Sequence, residues 1–193
     1  MFGLQIIGID LDDTIVDYVN MWLKVFEKET GVKARLSDIK KWHISELFPN
    51  VLDDKKMIRL MVKTWKEEDK NMKLVDPEIP AVFRRLRKRF RLYITTATLA
   101  SDSQIKEFLE RNDIKYDKLV HVQHHVEKLL DEVDIYIDDS PKVAEEFVSH
   151  GKYVVVFARP WNSSIKQNGY VKRVSNWKAV ERAVLSFASK AGR

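Results

Sequence analysis

The chain has 193 residues, of which 45% are apolar and 33% charged, with 34 Lys and Arg against 29 Asp and Glu for a net charge of +5. That length suits one ordinary domain or a core with a modest insertion. No run of about 18 apolar residues offers a membrane span, the basic n-region of a signal peptide is missing, and the absence of cysteine excludes disulfides, thiolate metal sites and a Cys nucleophile. A cytoplasmic location is the expectation.

Leu4 to Ile9 is a short, nearly continuous Ile-rich run, the pattern of a strand buried on both faces. It ends in Asp10-Leu11-Asp12-Asp13-Thr14. From Asp17 to Val75 the spacing is helical, with Val19, Trp22, Leu23 and Phe26, then Ile58, Met61, Val62 and Trp65; Gly31 ends the first helix. No strand-like run interrupts this stretch. The spacing next predicts a helix over Pro77 to Lys88, a strand over Phe90 to Thr96, and a helix over Ser101 to Asn112 with Ser101 as N-cap. Lys118 to Val122 is a weaker strand. Asp134 to Asp138 and Tyr153 to Phe157 are buried strands, separated by a helix from Pro141 to His150 that Ser140 caps and Gly151 ends. An amphipathic helix from Ser175 to Lys190 closes the chain. This alternation predicts an α/β fold with a Rossmann-like parallel sheet.

The chemistry gathers at strand ends. Ligands of open α/β sheets bind outside the carboxyl ends of the strands, where Asp10 and Asp12 leave the first strand and Asp138-Asp139 leave the fourth. Either pair by itself also suits a solvated acidic turn or a helix cap. If the two strands are neighbours, the carboxylates crowd one edge and call for a hard divalent cation with oxygen ligands. Thr96 ends the second strand, where its hydroxyl and backbone N–H can hold an anionic oxygen. Lys128 can neutralise a phosphate or the carboxylate nucleophile. Trp42 and Phe48 interrupt the helical spacing of their stretch and can stack a nucleobase. His121, His124 and His125 read as solvated or helix-N-terminal side chains rather than as a metal cluster. The run of Arg84, Arg85, Arg87, Lys88, Arg89 and Arg91 reads as the solvent face of a helix, although nucleic-acid binding on such a scaffold is the competing class.

Strand-Asp10-x-Asp12-x-Thr14, strand-Thr96, Lys128 and strand-Asp138-Asp139, in that order, resemble the four motifs of the haloacid dehalogenase-like (HAD) phosphohydrolases. Asp17, the ten-residue step from Lys128 to Asp138, and Arg159-Pro160-Trp161-Asn162 resemble the 5′(3′)-deoxyribonucleotidase-like family within them. The second motif departs from that family: Thr96-Ala97-Thr98 stands where Thr-Ser-Pro is common. The resemblance implies a HAD core over residues 1–16 and 76–193 and a helical type-1 cap over 17–75. It implies a Mg²⁺-dependent phosphomonoesterase acting on a small phosphorylated substrate, a (deoxy)nucleoside monophosphate or another phosphate metabolite, with neither membrane nor nucleic acid as partner. Asp10 is then the nucleophile and Asp12 the general acid and base. Asp10, Asp12 (through its backbone carbonyl), Asp138 and Asp139 hold Mg²⁺. Thr96 and Lys128 offset phosphoryl charge, Thr14 helps shape the loop around the metal, and Thr14, Thr96, Ala97, Lys128, Trp42 and Phe48 are the substrate-binding residues.

Overall fold

The computed structural model describes residues 5–191, without the side chains of His125, Val126 and Ala191. Leu4, the predicted start of the first strand, and the His125 side chain therefore lie outside the described residues.

Strand β1 (Ile6–Ile9) sits in the middle of a parallel sheet, because its side chains are apolar on both faces. It pairs with β2 (Arg91–Thr96) on one side and β4 (Ile135–Asp138) on the other, Ile9 opposing both Ile94 and Ile137. β3 (Lys118–His121) lies outside β2; β5 (Tyr153–Phe157) and β6 (Val171–Val174) extend the sheet beyond β4, giving six strands in the order β3-β2-β1-β4-β5-β6. The chain thus turns one way from β1 through β3 and the other way from β4 through β6. The switch point, where such sheets open a crevice, falls at the carboxyl end of β1. The α/β expectation is borne out.

β6 was not expected from the sequence. Its four residues are Val-Lys-Arg-Val, and neither charged residue belongs to a buried strand pattern. At an edge, backbone pairing with β5 suffices, and Lys172 covers the Phe187 ring at 5.0 Å.

Alternation along the strands sorts the core into two layers. Ile135, Ile137 and Val155 join a large cluster with Val82, Phe83 and Leu86 of α3 (Ile79–Leu86) and Val180, Val184 and Phe187 of α6 (Trp177–Ala191). Ile105, Phe108 and Leu109 of α4 (Asp102–Arg111) belong to the same cluster. Tyr136, Val154 and Val156 face the other way, onto Val143, Ala144 and Phe147 of α5 (Pro141–Ser149). Ser101 caps α4 through a capping box with Gln104, and Ser140 caps α5 by accepting from Val143 N.

Between β1 and α3 run α1 (Tyr18–Thr30), α2 (Asp54–Glu68) and short 3-10 turns. Gly31 closes α1 at φ 73°, a left-handed conformation that glycine adopts without steric cost. Trp22 stacks on Phe26 at 5.0 Å and Tyr18 on Trp65 at 6.0 Å, so one apolar cluster continues from the sheet into these helices. The chain leaves and re-enters the sheet side by side: Asp17 N donates to Lys73 O and Val75 N to Ile15 O, each at 2.9 Å.

Candidate active site

Pairing carries β1 straight into the site. Asp10 N donates to Ile137 O at 2.9 Å, so Asp10 leaves the sheet beside Asp138 at the end of β4. Carboxylate oxygens of Asp10, Asp138 and Asp139 all lie within 4.8 Å of one another, and all three residues are buried. Lys128, only 2% exposed, extends Nζ between two of them, 2.5 Å from Asp10 Oδ1 and 3.1 Å from Asp138 Oδ2. It comes from the 3-10 turn His125–Lys128, which the Tyr136 hydroxyl holds by donating to the Lys128 carbonyl at 3.2 Å.

The electrostatics follow from three buried carboxylates sharing one lysine. Burial raises Asp10 to about 7, only partly offset by Lys128, while Asp138 and Asp12 add to the rise. Asp139 is pushed well above the carboxylate range by burial and by Asp10 and Asp138. Burial opposes the charge on Lys128, yet Asp10 and Asp138 hold it above its ordinary value. A hard divalent cation suits this set, which offers oxygen donors only and more negative charge than one lysine balances. Two neighbours orient it: Trp161 Nε1 donates to Asp139 Oδ2 at 2.8 Å, and Ser140 N donates to Asp138 Oδ1 at 2.8 Å. Asn162 Nδ2 donates to the Asp139 carbonyl at 2.8 Å.

Asp12 stands apart from the three. Burial lifts it to about 6, against the pull of the nearby Thr98 hydroxyl and Lys128, while its Oδ1 has no partner among the described residues. Asp13, at φ 57°, turns its carboxylate back to accept from Val19 N, and burial raises it to about 8 against the pull of Arg159. The strained backbone there re-aims the chain between Asp12 and α1.

A cavity of about 390 Å³ opens over this edge. Asp10, Asp12, Thr96, Ala97, Lys128 and Asp139 form part of its floor, and Trp42, Met57 and Met61 line it from the helical stretch. Trp42 meets Trp161 edge-on at 6.4 Å. Thr96 Oγ1 accepts from Thr98 N at 3.1 Å, closing the loop after β2.

Two of the expected substrate-binding residues stand outside the cavity lining. Phe48 does not line the cavity; it packs against Phe26 at 4.9 Å, because the turn Ile44–Leu47 directs it into the apolar cluster. Thr14 is fully buried beneath the loop, where its carbonyl accepts from Trp177 Nε1 at 3.0 Å, and it does not reach the cavity either. His121 is exposed, as expected, and is also tethered: Nδ1 lies 2.6 Å from Asp102 Oδ1 and Nε2 lies 2.9 Å from Thr98 O. Sequence reasoning missed Lys142 in the cavity wall. It also missed what Trp161 does, although the Arg159–Asn162 motif had marked its position. Within the basic run, Arg85 pairs with Glu181 and Arg87 with Asp117, while Val82, Phe83 and Leu86 of the same helix are buried. Among the described residues, no helix is long and apolar enough to cross a membrane.

A switch-point cluster of aspartates on this sheet defines a HAD-like α/β hydrolase. Solved structures share the fold. A HAD-like hydrolase from Streptococcus pneumoniae superposes with TM-score 0.68 at 18% identity, covering 97% of this chain and 99% of its own. Another from Xanthomonas campestris gives 0.64 at 13%, covering 98% of each chain. A conserved HAD-like protein from Agrobacterium tumefaciens gives 0.65 at 12%, covering 96% and 100%. No curated protein matches the chain. The chain belongs to the family described as 5′ nucleotidase, deoxy (pyrimidine), cytosolic type C protein, whose model matches residues 4–191, and by class it is a phosphomonoester hydrolase.

Proposed function

We propose that this protein hydrolyses (deoxy)nucleoside monophosphates through a phosphorylated Asp10, with Mg²⁺ held by Asp10, Asp138 and Asp139 and by the backbone carbonyl of Asp12. The observation that carries the reading is the convergence of Asp10, Asp12 and Lys128 on one cavity floor in a chain of the nucleotidase family. Mg²⁺, when bound, offsets negative charge on the phosphoryl oxygens.

Asp10 attacks phosphorus with a carboxylate oxygen, and the ester P–O bond breaks. Lys128, beside Asp10 Oδ1, steadies the attacking carboxylate and then the charged phosphoryl group. Asp12 gives its proton to the departing oxygen; burial, which lifts it to about 6, keeps that proton available close to neutrality. The ionised Asp12 next takes a proton from a water. That water attacks phosphorus and releases inorganic phosphate and free Asp10. Thr96 holds a phosphoryl oxygen from the end of β2.

Residues 17–75 serve as a cap over a core of residues 1–16 and 76–193. Trp42 and the apolar wall around it receive the organic part of the substrate. A small phosphorylated molecule in the cytoplasm is the partner this arrangement suits.

A panel of nucleoside monophosphates and sugar phosphates, assayed with Mg²⁺ and with a chelator, tests this reading beside Asp10→Asn. Nucleotide turnover that needs Mg²⁺ and disappears in Asp10→Asn is expected. Turnover of sugar phosphates alone rejects the substrate class, and full activity in Asp10→Asn rejects the nucleophile.

A further inference from the structure

We infer that His121, held doubly protonated between Asp102 and the Thr98 carbonyl, is a positioning residue that fixes the loop after β2 and, through Thr98 N, the hydroxyl of Thr96 at the cavity. The inference rests on the reading of the cavity as the place of phosphoryl transfer, with Thr96 against a phosphoryl oxygen.

Both ring nitrogens of His121 face acceptors. Nδ1 lies 2.6 Å from a carboxylate oxygen of Asp102, and Nε2 lies 2.9 Å from the carbonyl of Thr98. An ionised carboxylate and a carbonyl can only accept, whereas a neutral imidazole carries one N–H and one lone pair. A neutral ring would therefore set a lone pair against one of its two partners. Only the imidazolium makes both bonds.

These two bonds tie three elements together: the end of β3, the start of α4 and the loop after β2. Thr98, 8% exposed, is the centre of that loop. Its N–H donates to Thr96 Oγ1 and its carbonyl accepts from His121. Thr96, Ala97 and Thr98 line the cavity together with Asp12. A small displacement of Thr98 therefore moves Thr96 Oγ1 and this stretch of the cavity wall relative to the phosphoryl group.

The charged and titratable groups around His121 favour the cation. Asp102 approaches from α4 and Asp12 from the loop after β1, while Lys106 and Tyr116 stand near Asp102. Burial pulls His121 down, but the bonds to Asp102 and Thr98 and the charges of Asp102 and Asp12 raise it above its ordinary value. The His121 bond in turn lowers Asp102. With the folded value raised, the lock is complete below the ordinary histidine range and is lost as pH rises through the folded value.

Nitrogen-15 NMR of the histidine rings in the full chain, assigned by comparison with His121→Gln, reads the protonation state directly. Both His121 nitrogens protonated at pH 7 is the expected result; a lone pair on either overturns the inference. Kinetics with phenyl phosphate and Mg²⁺ read the consequence. His121→Leu should lose about tenfold in kcat with KM within about twofold, the signature of a misplaced catalytic group. Asp102→Ala should fall likewise. Asp102→Asn should retain kcat, because its amide can donate to a neutral Nδ1, and its kcat relative to wild type should rise with pH. A kcat in His121→Leu equal to wild type, or a change confined to KM, overturns the inference. Should His121→Leu fail to fold, the two Asp102 variants give the same reading. Thr96→Val separates the two levels: full activity there refutes the reading of Thr96 against a phosphoryl oxygen, while the NMR result still decides the state of His121.

Discussion

Gly8 shows how a single missing side chain shapes the site. A Cβ there would meet Tyr136 Cε1 at 2.5 Å and Cδ1 at 2.6 Å. The ring has little freedom to yield: it packs on Phe147 at 4.0 Å, and its hydroxyl accepts from Leu130 N at 2.7 Å while donating to the Lys128 carbonyl. Overpacking of this kind costs about 1–3 kcal/mol. Gly8→Ala should therefore lower the urea midpoint of unfolding by the equivalent of that loss. It should also weaken catalysis, since the displaced ring carries the turn that presents Lys128. An unchanged midpoint would show that the ring gives way freely.

At the level of elements, the helical stretch separates into residues that build it and residues that face the cavity. Phe48 belongs to the first group and Trp42 to the second. Phe48 is half-buried, so Phe48→Ala should destabilise the fold by about 2 kcal/mol, less than a fully buried Phe would. Its KM for nucleotide should stay unchanged. Trp42→Ala should instead raise KM several-fold with kcat largely retained, because binding contact is lost without loss of the reacting groups. Unfolding curves and steady-state kinetics on both variants check the pair; a raised KM in Phe48→Ala would return that residue to the substrate. The sequence could not separate these two residues. Both are aromatic, both interrupt helical spacing, and only the path of the turn Ile44–Leu47 decides which points into the core.

Across the whole molecule, stability depends on carboxylates gathered from distant parts of the chain. Burial raises Asp10 to about 7, Asp12 to about 6 and Asp13 to about 8, and it lifts Asp139 as well. Groups with folded values above their unfolded ones hold more protons when native, so stability falls as pH rises from about 4 through about 8. The chelator-treated protein should accordingly melt at a lower temperature at pH 8 than at pH 5. A divalent cation binds the ionised carboxylates of the native state, so Mg²⁺ should raise the melting temperature more at pH 8 than at pH 5. Scanning calorimetry at the two pH values decides this; a Mg²⁺ shift independent of pH would place the ion elsewhere than on these residues.

The parallel sheet and its acidic edge were legible in the sequence because both are local patterns. Buried strands are apolar runs, and carboxylates directly after such runs can only stand at the sheet's carboxyl edge. The helical character of residues 17–75 was legible for the same reason, through spacing. What could not be read were the partnerships between segments far apart in the chain. Strand β6 exists because β5 offers it backbone partners. His121 is anchored because α4 and the loop after β2 bring it two acceptors. Lys128 lies between Asp10, 118 residues away, and Asp138, ten residues away, only once β1 and β4 lie side by side. Composition and periodicity settle which residues a strand or helix buries, since burial depends on each residue's own transfer into the core. Which polar groups meet inside, and with what charge, depends on the packing of whole elements, and that was decided by the tertiary structure alone.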